Sequence, residues 1–266
     1  MPVITLTTDL GLSDHYVAMI KGKLLKMIPY ANVIDISHQI KAYNTIHAAF
    51  VLRNTYHFFP EGSIHLVSVK PDEQKEGPFA PQPQHLIMQY NNHYFIGPDN
   101  GLFSMIIEGD DAEIVRLEIA ELDDRLSLPI QDLYVRAAAA ISHGEPMNSL
   151  GVETKEINEK SMFRASLSGN VLQGIIAHVD QFGNLHTNIS EEYFNKIAKN
   201  RTFRIDIGNS SYALKDINRW YSEVAQGERL ALFNASGLLE IAINQGSANK
   251  LLGLDILSPV RVEFND

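Results

Sequence analysis

The sequence predicts an α/β N-terminal domain built on a mainly parallel sheet, followed by a smaller antiparallel, β-barrel-like C-terminal domain. Three observations carry this. Up to about residue 150, short β-branched runs alternate with segments of helical period, the pattern of β-α-β units. From Gly151 to Gly169 the chain turns polar and loosely patterned, which places the boundary there and divides the chain into 1–160 and 161–266. Beyond it, short strands follow one another closely with turn residues between them, as small antiparallel barrels or sandwiches require.

Val3 to Thr8 is apolar and β-branched and predicts a buried strand; Ser13 or Asp14 is placed to cap the helix after it. In that helix Ile20, Leu24, Met27 and Ile28 share a face, and Pro29 ends it. Asn32 to Ser37 predicts a second strand. Ile46, Ala49, Phe50 and Arg53 fall at helical spacing, and Pro60-Glu61-Gly62 turns the chain into a third strand, Ser63 to Val69. Lys70 to Gln84, with four prolines, is a loop at the C-terminal end of that strand, where open α/β sheets place their binding sites. His85 to Tyr90 and His93 to Gly97 read as strands joined through Asn91-Asn92. Asp132 to His143 is an Ala-rich helix closed by Gly144. In the second domain the expected strands are 171–179, 184–189, 201–207, 212–217, 230–234, 238–243 and 260–264, interrupted by a helix from Glu191 to Lys199. That helix carries acids in its first turn and lysines in its last, as the helix dipole favours.

Composition narrows the chemistry. In 266 residues there are 22 Lys+Arg against 32 Asp+Glu, a net charge of −10, so neither nucleic acid nor an anionic membrane is an expected partner. The 45% apolar and 20% charged content is that of a globular chain. With no cysteine there are no disulfides, thiolate metal sites or Cys nucleophile. No apolar run reaches the roughly 18 residues of a membrane helix. The N-terminus has no basic region and carries Asp9, so it does not read as a signal peptide, and a cytoplasmic location is expected. Phosphate loops of the GxGxxG and GxxxxGK[ST] kinds are absent, as are HExxH and GxSxG. The scattered histidines His15, His38, His47 and His57 lack ligand spacing, so no metal site is expected.

Four motifs are dense in short polar side chains. Thr7-Thr8-Asp9-Leu10-Gly11 puts a carboxylate at the tip of the first strand, suited either to holding a diol or to capping the next helix. Gly97-Pro98-Asp99-Asn100-Gly101 is a tight turn. Asp180-Gln181-Phe182-Gly183-Asn184 opens a polar stretch, and Asn234-Ala235-Ser236-Gly237 leads into Asn244-Gln245-Gly246.

Together TLTTDLGLSDHYVAMIKG, GPDNGL, DQFGNLHTNI and NASGLLEIAINQGSANKLLG resemble, in order and across nearly the whole chain, the S-adenosyl-L-methionine hydroxide adenosyltransferases, relatives of the bacterial fluorinases and chlorinases. The resemblance implies a homotrimer whose ligand lies between the N-terminal domain of one subunit and the C-terminal domain of the next. It also implies a small adenosyl ligand and no metal or second cofactor. By the same resemblance, Asp9 holds the ribose hydroxyls, and Asp14 and Asn184 lie toward the methionine. Tyr221 stacks on adenine, and Asn244 and Gln245 read its edge through their backbone. The Asn234–Ser236 segment faces the methionine carboxylate, with Ser236 where the halogenases carry an arginine.

The chain departs from the family at the centre of the reaction. The family's hydrolases position water with an Asp-Arg-His set. Here Lys70 stands in place of the Asp, Gly77 falls where the Arg belongs, and Leu128 to Leu133 holds no histidine before the Ala-rich helix. Lys70 and Asp72 are the expected substitutes, one as a positive charge beside the incoming oxygen and the other as the lost carboxylate. The expected activity is hydrolysis of S-adenosylmethionine to adenosine and methionine; the alternatives are an adenosyl-binding protein without chemistry and, third, a halogenase.

Overall fold

The computed structural model describes residues 1–71, 84–107, 112–118, 128–160, 164–199, 201–207 and 209–265, in two compact units, Met1–Met162 and Phe163–Asp266.

The first unit contains β1 (Val3–Thr8), α1 (Tyr16–Met27), β2 (Asn32–Ser37), α2 (Thr45–Arg53), β3 (Ile64–Ser68), β4 (His85–Tyr90), β5 (His93–Pro98), α3 (Leu102–Ile106), β6 (Glu113–Leu117), α4 (Leu133–Ser142) and β7 (Gly151–Glu153). Its sheet runs β2-β1-β3-β5-β4-β6-β7. β2, β1, β3 and β5 are mutually parallel; β4 runs against both β5 and β6, and β7 against β6, so β6 restores the common direction. This is the mixed, mostly parallel sheet expected. Strand alternation divides the core in two. Ile4, Leu6 and Leu66 pack with Ile20, Leu24 and Tyr134 from α1 and α4, while Val67 and Phe95 pack with Leu52 and Phe103 from α2 and α3. β4 and β5 are joined by Asn91-Asn92, both at positive φ (48° and 61°), the backbone that a two-residue hairpin needs and that Asn tolerates.

Several local expectations are corrected. Neither Ser13 nor Asp14 caps α1; the capping position falls at His15, which makes no side-chain cap bond. α2 is properly capped, the Asn44 side chain accepting the His47 N–H at 2.9 Å. α3 was not expected because a five-residue helix following a left-handed Gly101 (φ 86°) is too short to show a period. β6 is likewise new. β7 falls inside the supposed boundary segment; Gly151 lies so close to the Arg116 carbonyl that a Cβ there would meet it at 1.9 Å.

The second unit comprises β8 (Ser166–Ser168), β9 (Val171–Val179), β10 (Leu185–Ser190), α5 (Glu191–Ala198), β11 (Phe203–Ile207), β12 (Asn209–Leu214), β13 (Arg229–Phe233), β14 (Leu238–Ile243), α6 (Ala248–Leu252) and β15 (Pro259–Phe264). The strand order is β12-β11-β15-β9-β10-β14-β13, with β8 beside β9, and all of these pairs are antiparallel. The sheet curls so that the chain beyond β12 reaches β13, where the Asn218 N–H donates to the Ala231 carbonyl at 2.7 Å. Strict alternation on β15 buries Val260, Val262 and Phe264 inside the curl. Ser190 caps α5 through the Tyr193 N–H. β12 begins at Asn209, earlier than the expected 212, with Ile207 and Asn209 already paired.

Candidate functional site

Two sets of the residues singled out in the sequence are each gathered by their own unit. In the second unit they surround a groove of about 660 Å³ lined by Asp180, Phe182, Asn184, Tyr221 and the 243–247 segment.

The turn between β9 and β10 forms one wall. Asp180 Oδ1 accepts the N–H groups of Phe182 (2.9 Å) and Asn184 (2.8 Å), and its Oδ2 accepts from Asn184 Nδ2 at 3.1 Å. One carboxylate thus folds the whole turn, as Asx turns do. Gly183 sits at φ +84°, and a Cβ there would lie 2.1 Å from Ser247 Oγ, so no larger residue fits. The Asn249 N–H closes the contact onto the Gly183 carbonyl at 2.8 Å.

The 243–247 segment forms the floor. Gln245 is left-handed (φ 55°), and Asn244 is bound on both sides. Its N–H donates to the Glu228 carbonyl (2.9 Å), its carbonyl accepts the Gly227 N–H (2.8 Å), and its Nδ2 donates to the Val224 carbonyl (2.8 Å). Those bonds fix the stretch that carries Tyr221. The Tyr221 ring is 43% exposed, while its hydroxyl donates to Glu240 Oε1 at 2.5 Å. Glu240 is 2% exposed. Burial first, and then the Glu240 carboxylate, push the Tyr221 hydroxyl above the usual tyrosine range. The exposed Phe182 and Tyr221 rings, a carboxylate and peptide groups at the floor together suit a flat heterocycle with a polar edge.

Asn234 and Ser236 lie outside this lining. Asn234 Oδ1 accepts the N–H groups of Ser236 (3.0 Å) and Leu238 (3.2 Å), shaping the β13–β14 turn.

In the first unit, Asp9, Lys70 and Asn100 follow the C-terminal ends of β1, β3 and β5, three adjacent parallel strands, and so share one edge of the sheet. Asp9 Oδ2 accepts the Tyr43 N–H at 2.9 Å. Gly11, at φ 69°, donates its N–H to the His38 carbonyl (2.8 Å), and His38 Nδ1 is 2.8 Å from Thr8 Oγ1. Asp14 is exposed ahead of α1. Lys70 adopts φ 48°, and its carbonyl and that of Val69 both accept from Asn100 Nδ2, at 3.0 and 2.9 Å. Asn100 is 2% exposed, so the Pro-Asp-Asn-Gly turn is also a clamp on the root of the next loop. Asp72, Glu73 and Gly77 lie outside the described residues. Gln131 ends a short 3-10 turn, with Nε2 3.7 Å from Met19 Sδ.

Sequence inspection did not single out Asp180, His186 or Glu240 individually. The signal was present for Glu240, a lone acid on an otherwise apolar strand. Among the described residues no group of three or more His, Asp or Glu could hold a metal ion, and no helix is long and apolar enough to cross a membrane.

The chain matches the SAM hydroxide adenosyltransferase N-terminal domain model over residues 4–151 and the corresponding C-terminal domain model over residues 174–261. An (R)-S-adenosyl-L-methionine hydrolase of Methanocaldococcus jannaschii is 28% identical over 99% of this chain and 97% of its own. A protein of the same name from Thermus thermophilus is 27% identical over 96% of this chain and 97% of its own. A fluorinase of an Actinoplanes species is 24% identical over 71% of this chain and 72% of its own. The crystal structure of an uncharacterized conserved protein from Thermotoga maritima superposes with a TM-score of 0.86 at 27% identity, covering 98% of this chain and 99% of that one. Two domain models matched in order along one chain and covering most of it settle the kinship: the chain belongs to the SAM hydroxide adenosyltransferase family.

Proposed function

We propose that the protein hydrolyses S-adenosyl-L-methionine to adenosine and methionine. The observation that carries this is end-to-end similarity, through both domains, at 28% and 27% identity to two proteins named for that hydrolysis, where the fluorinases match at 21–24%. Water or hydroxide attacks ribose C5′: a C–O bond forms, the C5′–S bond breaks, the sulfonium leaves as neutral thioether, and the proton of water passes to solvent. No metal and no second cofactor take part in this scheme.

Asp9 accepts hydrogen bonds from the ribose hydroxyls. Tyr221 lies against adenine, whose edge meets the backbone at Asn244 and Gln245. Asn184 and Asp14 face the methionine, and the Asn234–Ser236 turn approaches its carboxylate. The site is completed in a homotrimer, each ligand taken between the first unit of one subunit and the second unit of another. Lys70 stabilises the incoming oxygen and Asp72 supplies the carboxylate; orientation of the water contributes several kcal/mol in reactions of this kind. A charged sulfonium that does not cross lipid unaided supports a cytoplasmic location.

The test is chromatography of S-adenosylmethionine incubated with pure protein, alongside a protein-free control. Adenosine and methionine in equal amounts are expected, and Lys70→Met abolishes their formation while adenosine still binds. A binding role without chemistry is the second reading, favoured by the lysine that stands where the family's hydrolases carry an acid. Intact substrate together with tight binding would select it.

A further inference from the structure

Behind the groove wall runs a chain of polar contacts through His186 and Glu240, two residues to which the proposed reaction gives no role. His186, on β10, has Asp180, Glu240, Asn234 and His178 among its neighbours. Its Nε2 lies 3.5 Å from Asp180 Oδ2 and 3.7 Å from Glu240 Oε2, on the β9–β10 turn and on β14. Its Nδ1 lies 2.8 Å from Asn234 Nδ2, and the His178 ring of β9 stands edge-on with its centroid 5.5 Å away.

Two carboxylates at Nε2 call for a donor there. Asn234 sets the other nitrogen. Because the Asn234 oxygen accepts the Ser236 and Leu238 N–H groups, the nitrogen of that amide is what faces His186. An amide nitrogen only donates, so His186 Nδ1 must present a lone pair. Protonation would set one N–H against another. The Nε2–H tautomer satisfies both sides, pointing its proton at the carboxylates, and Glu240 accepts the Tyr221 hydroxyl at 2.5 Å through its Oε1.

We propose that Asn234, His186 and Glu240 are positioning residues: Asn234 locks the tautomer of His186, His186 steadies the Glu240 carboxylate, and Glu240 holds the Tyr221 ring across the groove. The inference rests on the proposed function only for the choice of adenosine as probe.

Long-range proton–nitrogen NMR of imidazole-labelled protein reads the lock directly, with His186→Gln assigning the signal. His186 is expected with a proton on Nε2 and a lone pair on Nδ1. Asn234→Asp, which offers Nδ1 an acceptor, brings a proton to Nδ1. An Nδ1–H His186 in the wild type, or an Nδ1 left without a proton in Asn234→Asp, overturns the proposal.

Calorimetry with adenosine reads the rest. Glu240→Gln and Tyr221→Phe each weaken binding about tenfold, the loss of one hydrogen bond to a charged group. The double variant is no weaker than either single one, because both remove the same link. Multiplied effects would overturn the relay. If Glu240→Gln fails to fold, Asn234→Asp takes its place in the cycle with Tyr221→Phe. If the wild type does not bind adenosine at all, the proposed function fails, and the NMR arm, which needs no ligand, decides the relay by itself.

Discussion

Asp9 commits one carboxylate oxygen to the Tyr43 N–H, which fastens the tip of β1 to the 38–43 loop. Asp9→Ala is expected to weaken adenosine binding by about 2–4 kcal/mol, since two charge-assisted hydrogen bonds are lost. Binding of 2′,3′-dideoxyadenosine should hardly change, because it lacks the hydroxyls. Calorimetry with both nucleosides checks this; equal binding of the two by the wild type would remove Asp9 from the diol. The place of this acid at the tip of β1 was legible in the sequence because it follows a β-branched run and stands two residues before a glycine. His186 and Glu240 were not, since they lie 54 residues apart and meet only across β10 and β14. Asn100 was legible as a turn residue but not as a clamp, its partners being two carbonyls about thirty positions upstream.

At the scale of elements, the β9–β10 turn and the β14–α6 connection are keyed together at Gly183 and Ser247. Gly183→Ala strains a left-handed residue and forces the two apart. A loss of about 1–3 kcal/mol is expected in urea unfolding, with loss of adenosine binding. A Ser247→Gly change in the same chain should restore part of the stability by removing the Oγ clash, though it forfeits the cap on α6. The long periodic elements α1, α2, α4 and α5 and the central strands could all be read from apolar spacing. α3 and α6 are five residues each, and β7 and β8 three, too short for any period to show. Capping at Asn44 and Ser190, where the side chain accepts a backbone N–H, was not read from the sequence, because many Asn and Ser residues stand in turns without capping anything. It was misread at α1, where the chain enters through His15 with no cap bond.

For the whole molecule, acid should be destabilising through its interior histidines. His65 hydrogen-bonds Thr5 and His93 across β1, β3 and β5, and burial, then the neighbouring His93, lower it to about 3; burial lowers His85 to about 4. The unfolded chain takes up these protons near the ordinary histidine value while the native chain does not. Stability is therefore complete above about pH 6.5 and falls below it, levelling off near pH 4 for His85 and near pH 3 for His65. Between pH 7.5 and pH 5 each should cost about 2 kcal/mol in urea unfolding, and His65→Gln should flatten its share. A flat profile in the wild type would mean the imidazoles reach water. The mainly parallel first sheet and the antiparallel second one were legible in pattern, but assembly is not written in periodicity. The proposed trimer is checked by sedimentation at micromolar concentration, where a single species of three times the chain mass of 29.8 kDa is expected and a monomer would exclude a shared site.

The Asn100 clamp has a consequence for how this scaffold can vary over evolutionary time. By pinning the carbonyls of residues 69 and 70, it insulates the sheet from whatever sequence follows. Exchanges of sequence beyond that point should therefore leave the strand beneath undisturbed. Grafting the corresponding segment of a relative onto this root is expected to leave the sheet folded, with an unchanged midpoint in urea unfolding.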